Sequence, residues 1–225
     1  PSGLLMGMPL VASGAFAGAL LAALVVFRLA TNSRGTSVAT MLLAGIAISA
    51  LAGALNSLLS FFSDNDMLRR ISLWQMGSLD SATWARVATC AFAALIMAIL
   101  IPREAKALNA MLLGESEARH LGIQVEWLKR RLIIYSALGV AISVAVAGVI
   151  AFVGLMIPHL IRLLIGPDHR SLIPASALAG AILMVLADAL ARFAVSPAEL
   201  PVGVVTALLG APFFLWLLVQ QREKS

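Results

Sequence analysis

The stretch that decides the fold is residues 132–158, LIIYSALGVAISVAVAGVIAFVGLMIP, which carries no charged side chain. A membrane-spanning helix needs about 20 apolar residues, and this run, with the apolar residues that follow it to Ile165, exceeds one crossing. Gly148 and Gly154 offer a turn, so we predict two spans, at 131–147 and 150–166. Unbroken apolar runs predict helices, because backbone groups in lipid must be hydrogen-bonded within their own segment, and the lack of alternation excludes a barrel.

The rest of the chain repeats this apolar pattern. Five more runs predict spans at 8–27, 35–63, 85–101, 172–190 and 201–219. Hydrophobic residues are 61% of the 225 and charged residues only 12%, against roughly 25% charged in a soluble domain. The predicted fold class is therefore all-α: a polytopic transmembrane helical bundle of seven spans. We expect the whole chain, residues 1–225, to form a single transmembrane domain.

Several other classes of protein are excluded by the sequence. The chain starts at Pro1 without a basic segment before an apolar core, so no secretory signal is predicted and we expect upstream spans to be missing. The single cysteine, Cys90, gives no disulfide framework. The formal charge of +5 does not indicate nucleic-acid binding, because the basic residues flank apolar runs instead of forming a stripe on a soluble face.

The basic residues fall unequally on the two sides that seven alternating spans define. One side holds twelve of them, namely Arg28, Arg34, Arg103, Lys106, Arg119, Lys129, Arg130, Arg131, Arg162, Arg170, Arg222 and Lys224. The other side holds four, namely Arg69, Arg70, Arg86 and Arg192. Because basic residues are enriched in cytoplasmic loops, this bias predicts a cytoplasmic C-terminus.

The largest segment on the basic side is residues 102–131, and within it residues 107–128 are predicted to form a helical loop. Residues 114–122, GESEARHLG, read as a short helix bounded by glycines, with acidic residues in its first turn and basic residues near its end. We expect two such helices, separated by Gly122, against the membrane face. An ordinary amphipathic interfacial loop is the alternative interpretation.

The chain carries little catalytic chemistry. It contains no metalloprotease, nucleophile-elbow or phosphate-loop motif and no Cys/His cluster, so no catalytic residue, metal ligand or cofactor is predicted. A mid-span chain of acidic residues for proton relay is also missing from the sequence. Asp188 and Arg192 are four residues apart and can pair on one helix face, either as a structural ion pair or as a docking or gating element.

Several stretches together resemble one family, the permease subunits of type II ABC importers for iron-siderophores, haem or cobalamin. Residues 146–159, VAGVIAFVGLMIPH, are similar to the family pattern Ala-Gly-x-Ile-Gly-Phe-Val-Gly-Leu-x-x-Pro-His, with Ala151 in place of a glycine. The resemblance continues in GPDHR (166–170), LAD (186–188), AR (191–192), ELPVGVVTALLGAPFF (199–214) and the glycine-bounded segment 114–122.

The resemblance implies a complete subunit of ten helices, of which these are the last seven, in the bacterial inner membrane. It implies a homodimer, two ATPase subunits that hydrolyse ATP in place of this chain, and a periplasmic binding protein. The ATPase-coupling residues implied are Gly114, Glu115, Ala118, Arg119, Leu121 and Gly122. Arg192 would dock the binding protein. The helix at 38–60, followed by a short helix near 64–77, would line the path of the cargo together with the last helix. The polar candidates for that lining are Ser49, Asn56, Ser57 and Ser60, with helix packing as the alternative role.

The amino-acid sequences of three segments are most similar to the haem-importing branch of the family. These segments are residues 113–122, 126–131 and 74–84. They imply haem as cargo, with a ferric siderophore or cobalamin as alternatives. Two functions of other classes stay open: a structural subunit of a larger membrane complex, and a proton-coupled transporter.

Overall fold

The computed structural model describes residues 2–32, 35–80, 82–194 and 200–222. Ten helices and one two-residue-per-strand ribbon account for almost all of this part of the chain. The elements are α1 (Ser2–Ala30), β1 (Thr31–Asn32), β2 (Gly35–Thr36), α2 (Val38–Phe61), α3 (Asn65–Met76), α4 (Trp84–Arg103), α5 (Ala105–Met111), α6 (Glu115–His120), α7 (Val125–Ala147), α8 (Val153–Ile165), α9 (His169–Ala194) and α10 (Val202–Arg222).

Five of the helices are long and apolar enough to cross a membrane. These stretches are Ser13–Ala30, Ala39–Phe61, Trp84–Arg103, Val125–Ala147 and His169–Ala194. Two shorter apolar helices, Val153–Ile165 and Val202–Leu217, correspond to the other two predicted spans. The prediction of an all-α transmembrane bundle is confirmed.

The connections between these helices gather at two opposite ends of the bundle. At one end, which we call the loop face, the ribbon, residues 104–124 and residues 166–168 touch one another or the adjoining helix ends. The contacts are Thr36 with Glu126, Glu104 with Arg131, and Asn109 with Asp168. At the other end, the junction face, residues 62–80, 148–152 and 200–201 meet, as the backbone bond from Ser78 to Ala147 illustrates. Successive apolar helices therefore alternate in direction, as the sequence predicts.

Helix α8 differs from the predicted span at 150–166. Gly148, at φ 73°, does end α7, but Gly154 lies inside α8, and Phe152 at φ 68° is the residue that starts it. Thirteen residues of helix rise only about 20 Å, less than the roughly 30 Å of a hydrocarbon core. The non-helical residues 148–152 precede α8, and Val149 donates its N–H to Trp74 O at 3.3 Å. Non-helical backbone is tolerated at such depth where it packs on protein.

Two other boundaries differ from the predicted ones for local reasons. Helix α7 begins at Val125 rather than at 131, because the buried residues Val125 and Leu128 extend the helix beyond the apolar run. Helix α2 begins at Val38 rather than at 35, because the ribbon takes the preceding residues and the Ser37 hydroxyl accepts the N–H of Thr40. The two short helices of the loop face, α5 and α6, are separated by residues 112–114, and the long α7 follows Gly122.

On the junction face, the ends of α3, α7 and α10 pack backbone against backbone at Gly77, Gly148 and Gly203, a contact that we call the glycine junction. A Cβ at Gly77 would lie 2.6 Å from Val149 O, and one at Gly148 or Gly203 would lie still closer to the carbonyl oxygens of α3. Such distances leave room only for a hydrogen atom. The glycine junction therefore fixes the C-terminal end of α3 to two spanning helices.

Candidate functional site

The candidate site is the short helix α6 on the loop face. It starts after Gly114, whose φ of 110° and ψ of 157° are adopted almost only by glycine. It ends in a Schellman motif, in which Gly122, at φ 83°, donates to Arg119 O and Ile123 donates to Ala118 O. The sequence prediction of a short helix between these glycines is confirmed.

Helix α6 lies against the first turns of α7, as the contact of Glu115 with Lys129 shows. Ala118 of α6 has no exposed surface, and Leu128 of α7 is equally buried. The other five residues predicted to couple to an ATPase, Gly114, Glu115, Arg119, Leu121 and Gly122, are exposed. Leu113 and Leu121 expose 67% and 63% of their surface beside α6. Helix α6 therefore projects from the loop face in a fixed position. The side chains of Leu113 and Leu121 beside it are not covered by any other part of the described chain.

Charged side chains attach α6 to α7. Lys129 Nζ lies 2.7 Å from Glu115 Oε1 and 3.8 Å from Glu126 Oε1. Arg119 Nη2 lies 3.8 Å from Glu115 and 3.7 Å from Glu126. The basic and acidic residues were visible in the sequence, but the contact between Glu115 and Lys129 was not predicted, because it depends on how α6 folds back on α7.

A second attachment joins α5 to the start of α9. The Asn109 amide Nδ2 donates to Asp168 Oδ1 at 2.6 Å, and Asn109 Oδ1 accepts the backbone N–H of His169 at 2.8 Å. The backbone N–H of Arg170 also donates to Asp168 Oδ1. Two hydrogen bonds to the carboxylate hold the pKa of Asp168 below its ordinary value. The larger effect comes from the backbone N–H of Arg170 and the smaller one from the Asn109 amide. Because hydrogen bonds to the ionised form lower the pKa, the contact favours the carboxylate.

The replacement Asn109→Ala is expected to raise the pKa of Asp168 towards its ordinary value, since one of the two hydrogen bonds to the carboxylate is lost. A lowered pKa adds stability above the unfolded-state pKa and loses it as the pH falls through the folded-state value. The stability that the Asp168 carboxylate contributes should therefore be lost at a higher pH in the variant than in the parent chain. Carboxyl-carbon NMR of the detergent-solubilised protein measures the titration.

Ser171→Ala is the matched control for this titration, because the Ser171 hydroxyl donates to the main-chain oxygen of Asp168 and leaves the carboxylate alone. An unchanged Asp168 titration in Asn109→Ala would contradict the assigned contact.

The four predicted path residues lie along one side of α2. At about 100° per residue, Ser49, Asn56, Ser57 and Ser60 fall within an arc of about 100°. Ser49 and Ser57 are exposed, and Asn56 and Ser60 are half-buried. A Cβ added at Gly45 or Gly53 of the same helix would meet no atom within 4 Å. This side of α2 is therefore open within the described part of the chain.

The predicted docking residue, Arg192, lies on the junction face in an ion-pair cluster. Its Nε lies 2.9 Å from Asp188 Oδ2, which confirms the pairing predicted from their spacing. Asp80, from the segment before α4, lies 3.7 Å from Arg192 and was not predicted. Glu199, which the sequence also places near this pair, lies outside the described residues. The guanidinium is thus already held by two acidic side chains of its own chain.

The apolar helices that alternate in direction, together with helix α6 packed on the loop face, define a multi-pass membrane protein with the architecture of a permease. The model of the FecCD transport family matches residues 3–220. The chain belongs to this family.

Individual relatives agree with this assignment. The chain is 48% identical over 211 residues to the hemin transport system permease protein HmuU of Yersinia pestis, which covers 94% of this chain and 63% of that protein. It is 42% identical over 215 residues to the cobalamin import system permease protein BtuC of Halobacterium salinarum, covering 96% of this chain and 58% of BtuC. The chain thus spans less than two thirds of the length of these relatives.

A solved structure has the same fold. It is described as an inward-facing conformation of a metal-chelate type ABC transporter, and it aligns with a TM-score of 0.76 at 38% identity. The alignment covers 82% of this chain and 60% of that one. The fold is therefore that of an ABC transporter permease.

Proposed function

We propose that this chain is the membrane permease of an ATP-driven importer that carries haem across the bacterial inner membrane. It works as a single transmembrane domain in a homodimer, with two ATPase subunits on the loop face and a periplasmic binding protein on the junction face. The chain is not itself an enzyme: the ATPase subunits hydrolyse ATP. The cargo crosses between the two permease copies.

The observation that carries this proposal is helix α6. A six-residue helix with one buried alanine and exposed leucines on either side is stable only because its C-terminal end is capped and its inner side is packed. Exposed apolar groups outside the lipid indicate a protein-binding surface. ATP binding would move the attached ATPase, displace residues 107–128 and tilt the helices that follow.

The charge distribution supports the orientation. The loop face carries the larger share of the basic residues, although Arg34 and Lys224 lie outside the described residues. Since cytoplasmic loops are enriched in Lys and Arg, the loop face is cytoplasmic in this proposal, and so is the C-terminus. The ATPase-facing helix then lies on the side where ATP is available.

The open side of α2 is the proposed path. A second permease copy facing it would enclose Ser49, Asn56, Ser57 and Ser60 between the two chains. Weak hydroxyl and amide contacts suit a bulky amphipathic cargo, because a tight site would retain what it must release. Arg192 would receive an acidic residue of the binding protein, in exchange for or in addition to Asp188 and Asp80.

Haem is preferred as cargo because of the identity to HmuU, 48% against 42% for BtuC. Cobalamin and ferric siderophores are the alternatives within the same mechanism. A structural membrane subunit is the alternative from another class, and it would give helix α6 no ATPase to bind.

Reconstitution of the full-length permease with its ATPase and binding protein in proteoliposomes tests the proposal. We expect haem-loaded binding protein to stimulate ATP hydrolysis and uptake at least about fivefold more than cobalamin or a ferric siderophore, the lower end of typical coupling between sites. Stronger stimulation by cobalamin would reassign the cargo. Uptake driven by a proton gradient without ATP, or no uptake at all, would contradict the importer.

A further inference from the structure

We propose that Lys129 is a positioning residue that fastens helix α6 to the start of α2, so that a displacement of α6 is delivered to the helix beside the cargo path. This inference rests on the proposed function and names the contact through which that function would be transmitted. It begins at the ribbon β1–β2, which the sequence did not predict.

The ribbon connects α1 directly to α2. Thr31 pairs with Thr36, their hydroxyls lie 3.0 Å apart, and Ser37 donates its N–H to Ala30 O at 3.0 Å. Ser37 also caps α2 through its hydroxyl. Thr36 therefore lies only two residues before α2, and any force on Thr36 acts on the end of that helix.

Both backbone groups of Thr36 are bound by the first turns of α7. Glu126 Oε2 accepts the N–H of Thr36 at 3.2 Å and its hydroxyl at 3.1 Å. Lys129 Nζ donates to Thr36 O at 3.0 Å. Thr36 itself is 6% exposed. Because Glu126 and Lys129 are three residues apart on one side of α7, they hold Thr36 from both sides.

The same ammonium group of Lys129 reaches α6. It lies 2.7 Å from Glu115 Oε1, and the side chain of Lys129 is only 11% exposed. An ammonium group so far removed from water requires partners, and its loss leaves those partners uncompensated. The exposed pairs of Arg119 are screened by solvent and contribute little. Lys129 is therefore the central member of the cluster.

The cluster also contains a carboxylate oxygen that can accept a further hydrogen bond. Glu126 Oε1 is buried and makes no hydrogen bond within the described chain, although Arg119 Nη2 lies 3.7 Å away and Lys129 Nζ 3.8 Å away. A native buried acceptor without a hydrogen bond calls for an explanation. It offers Lys129 a second partner when Glu115 shifts, so that the bond to Thr36 O persists while α6 moves.

Two measurements on the full-length permease test this role, with Lys129→Met as the variant and Arg130→Met as the matched control. Methionine keeps an unbranched apolar side chain and removes the charge, and Arg130 is the exposed neighbour on the same helix. The first measurement is the ratio of haem taken up to ATP hydrolysed in the reconstituted complex. We expect Lys129→Met to lower that ratio about fivefold or more, with ATP hydrolysis retained, and Arg130→Met to leave it unchanged.

The second measurement is the distance between spin labels on α6 and α2, at Ser116→Cys and Thr40→Cys, both exposed positions. Cys90 is replaced by alanine, and labelled chains are diluted with unlabelled ones so that distances within one chain are read. We expect a narrow distribution in the parent chain, a broad one in Lys129→Met and a narrow one in Lys129→Arg, which keeps the donor.

Equal distributions and equal uptake ratios in the parent and in Lys129→Met would overturn the positioning role. A parent complex that neither hydrolyses ATP nor takes up cargo would instead overturn the proposed function. In that case the label distances would still decide whether Lys129 fastens α6 to α2.

Discussion

Replacing Gly203 by alanine is expected to lower the apparent melting temperature of the permease by roughly 2–12 °C, which corresponds to an overpacking cost of about 1–3 kcal/mol. The added Cβ would meet Met76 O far inside contact distance, with Met76 C at 2.9 Å and Val149 O at 3.2 Å. All three are backbone atoms, which cannot rotate away as a flexible side chain can. The α3 end or the α10 start must therefore move, and the glycine junction loosens.

Gly180→Ala is the matched control for this prediction. Gly180 lies within α9, and a Cβ there would meet no atom within 4 Å. Alanine is favoured over glycine in a helix by about 0.5–1 kcal/mol, so this variant should be at least as stable as the parent chain. A thermal-shift assay of the detergent-solubilised protein compares the two. Equal melting temperatures for Gly203→Ala and Gly180→Ala would refute the packing described at the glycine junction.

Replacing Gly114 by alanine is expected to weaken binding of the proposed ATPase subunit about tenfold. The backbone of Gly114, at φ 110° and ψ 157°, lies in a region that costs a residue with a Cβ about 1–3 kcal/mol, and each 1.4 kcal/mol is a tenfold change in affinity. The space around Gly114 is open, so the effect comes from backbone strain and not from a clash. Helix α6 would relieve that strain by rotating away from its packing against α7.

Ser116→Ala separates this effect from a general loss of folding. Ser116 is exposed on α6, and its replacement leaves both flanking glycines intact. Co-purification of the permease with its ATPase, followed by titration of the binding, measures the affinity. Gly122→Ala should fall between the two, because its φ of 83° is near the left-handed helical region, where the cost to alanine is smaller, about 1–2 kcal/mol. Undiminished binding by Gly114→Ala would count against α6 as the coupling element.

The sequence predicted those features that depend on local pattern. The apolar runs predicted the spanning helices, because lipid leaves the backbone few alternatives. The flanking glycines and the order of acidic and basic residues predicted α6, and the spacing of Asp188 and Arg192 predicted their ion pair. The resemblance to a known permease family was confirmed by the match over residues 3–220.

The features that were missed depend on contacts between residues far apart in the chain. The hydrogen bond from Lys129 to Thr36 joins residues 93 positions apart, so no local sequence pattern predicts it. The glycine junction was missed for the same reason. In the sequence, Gly77, Gly148 and Gly203 cannot be told from ordinary turn or helix glycines, because their role depends on three helix ends meeting in the folded chain. Gly154 was predicted to be part of a turn, yet Phe152 adopts the positive φ instead. Its ring lies 5.9 Å from that of Phe214, a contact between residues far apart in the chain.

The glycine junction has a consequence for how the molecule responds to its surroundings. Its contacts are between backbone atoms, so their strength does not depend on dissolved ions, whereas the charged contacts around α6 are weakened as counterions screen them. Raising the ionic strength should therefore weaken the exposed ion pairs of Arg119 on the loop face and of Arg192 on the junction face, while the packing of the glycine junction stays unchanged. The ends of α3, α7 and α10 would then stay packed together at salt concentrations that loosen the exposed ion pairs.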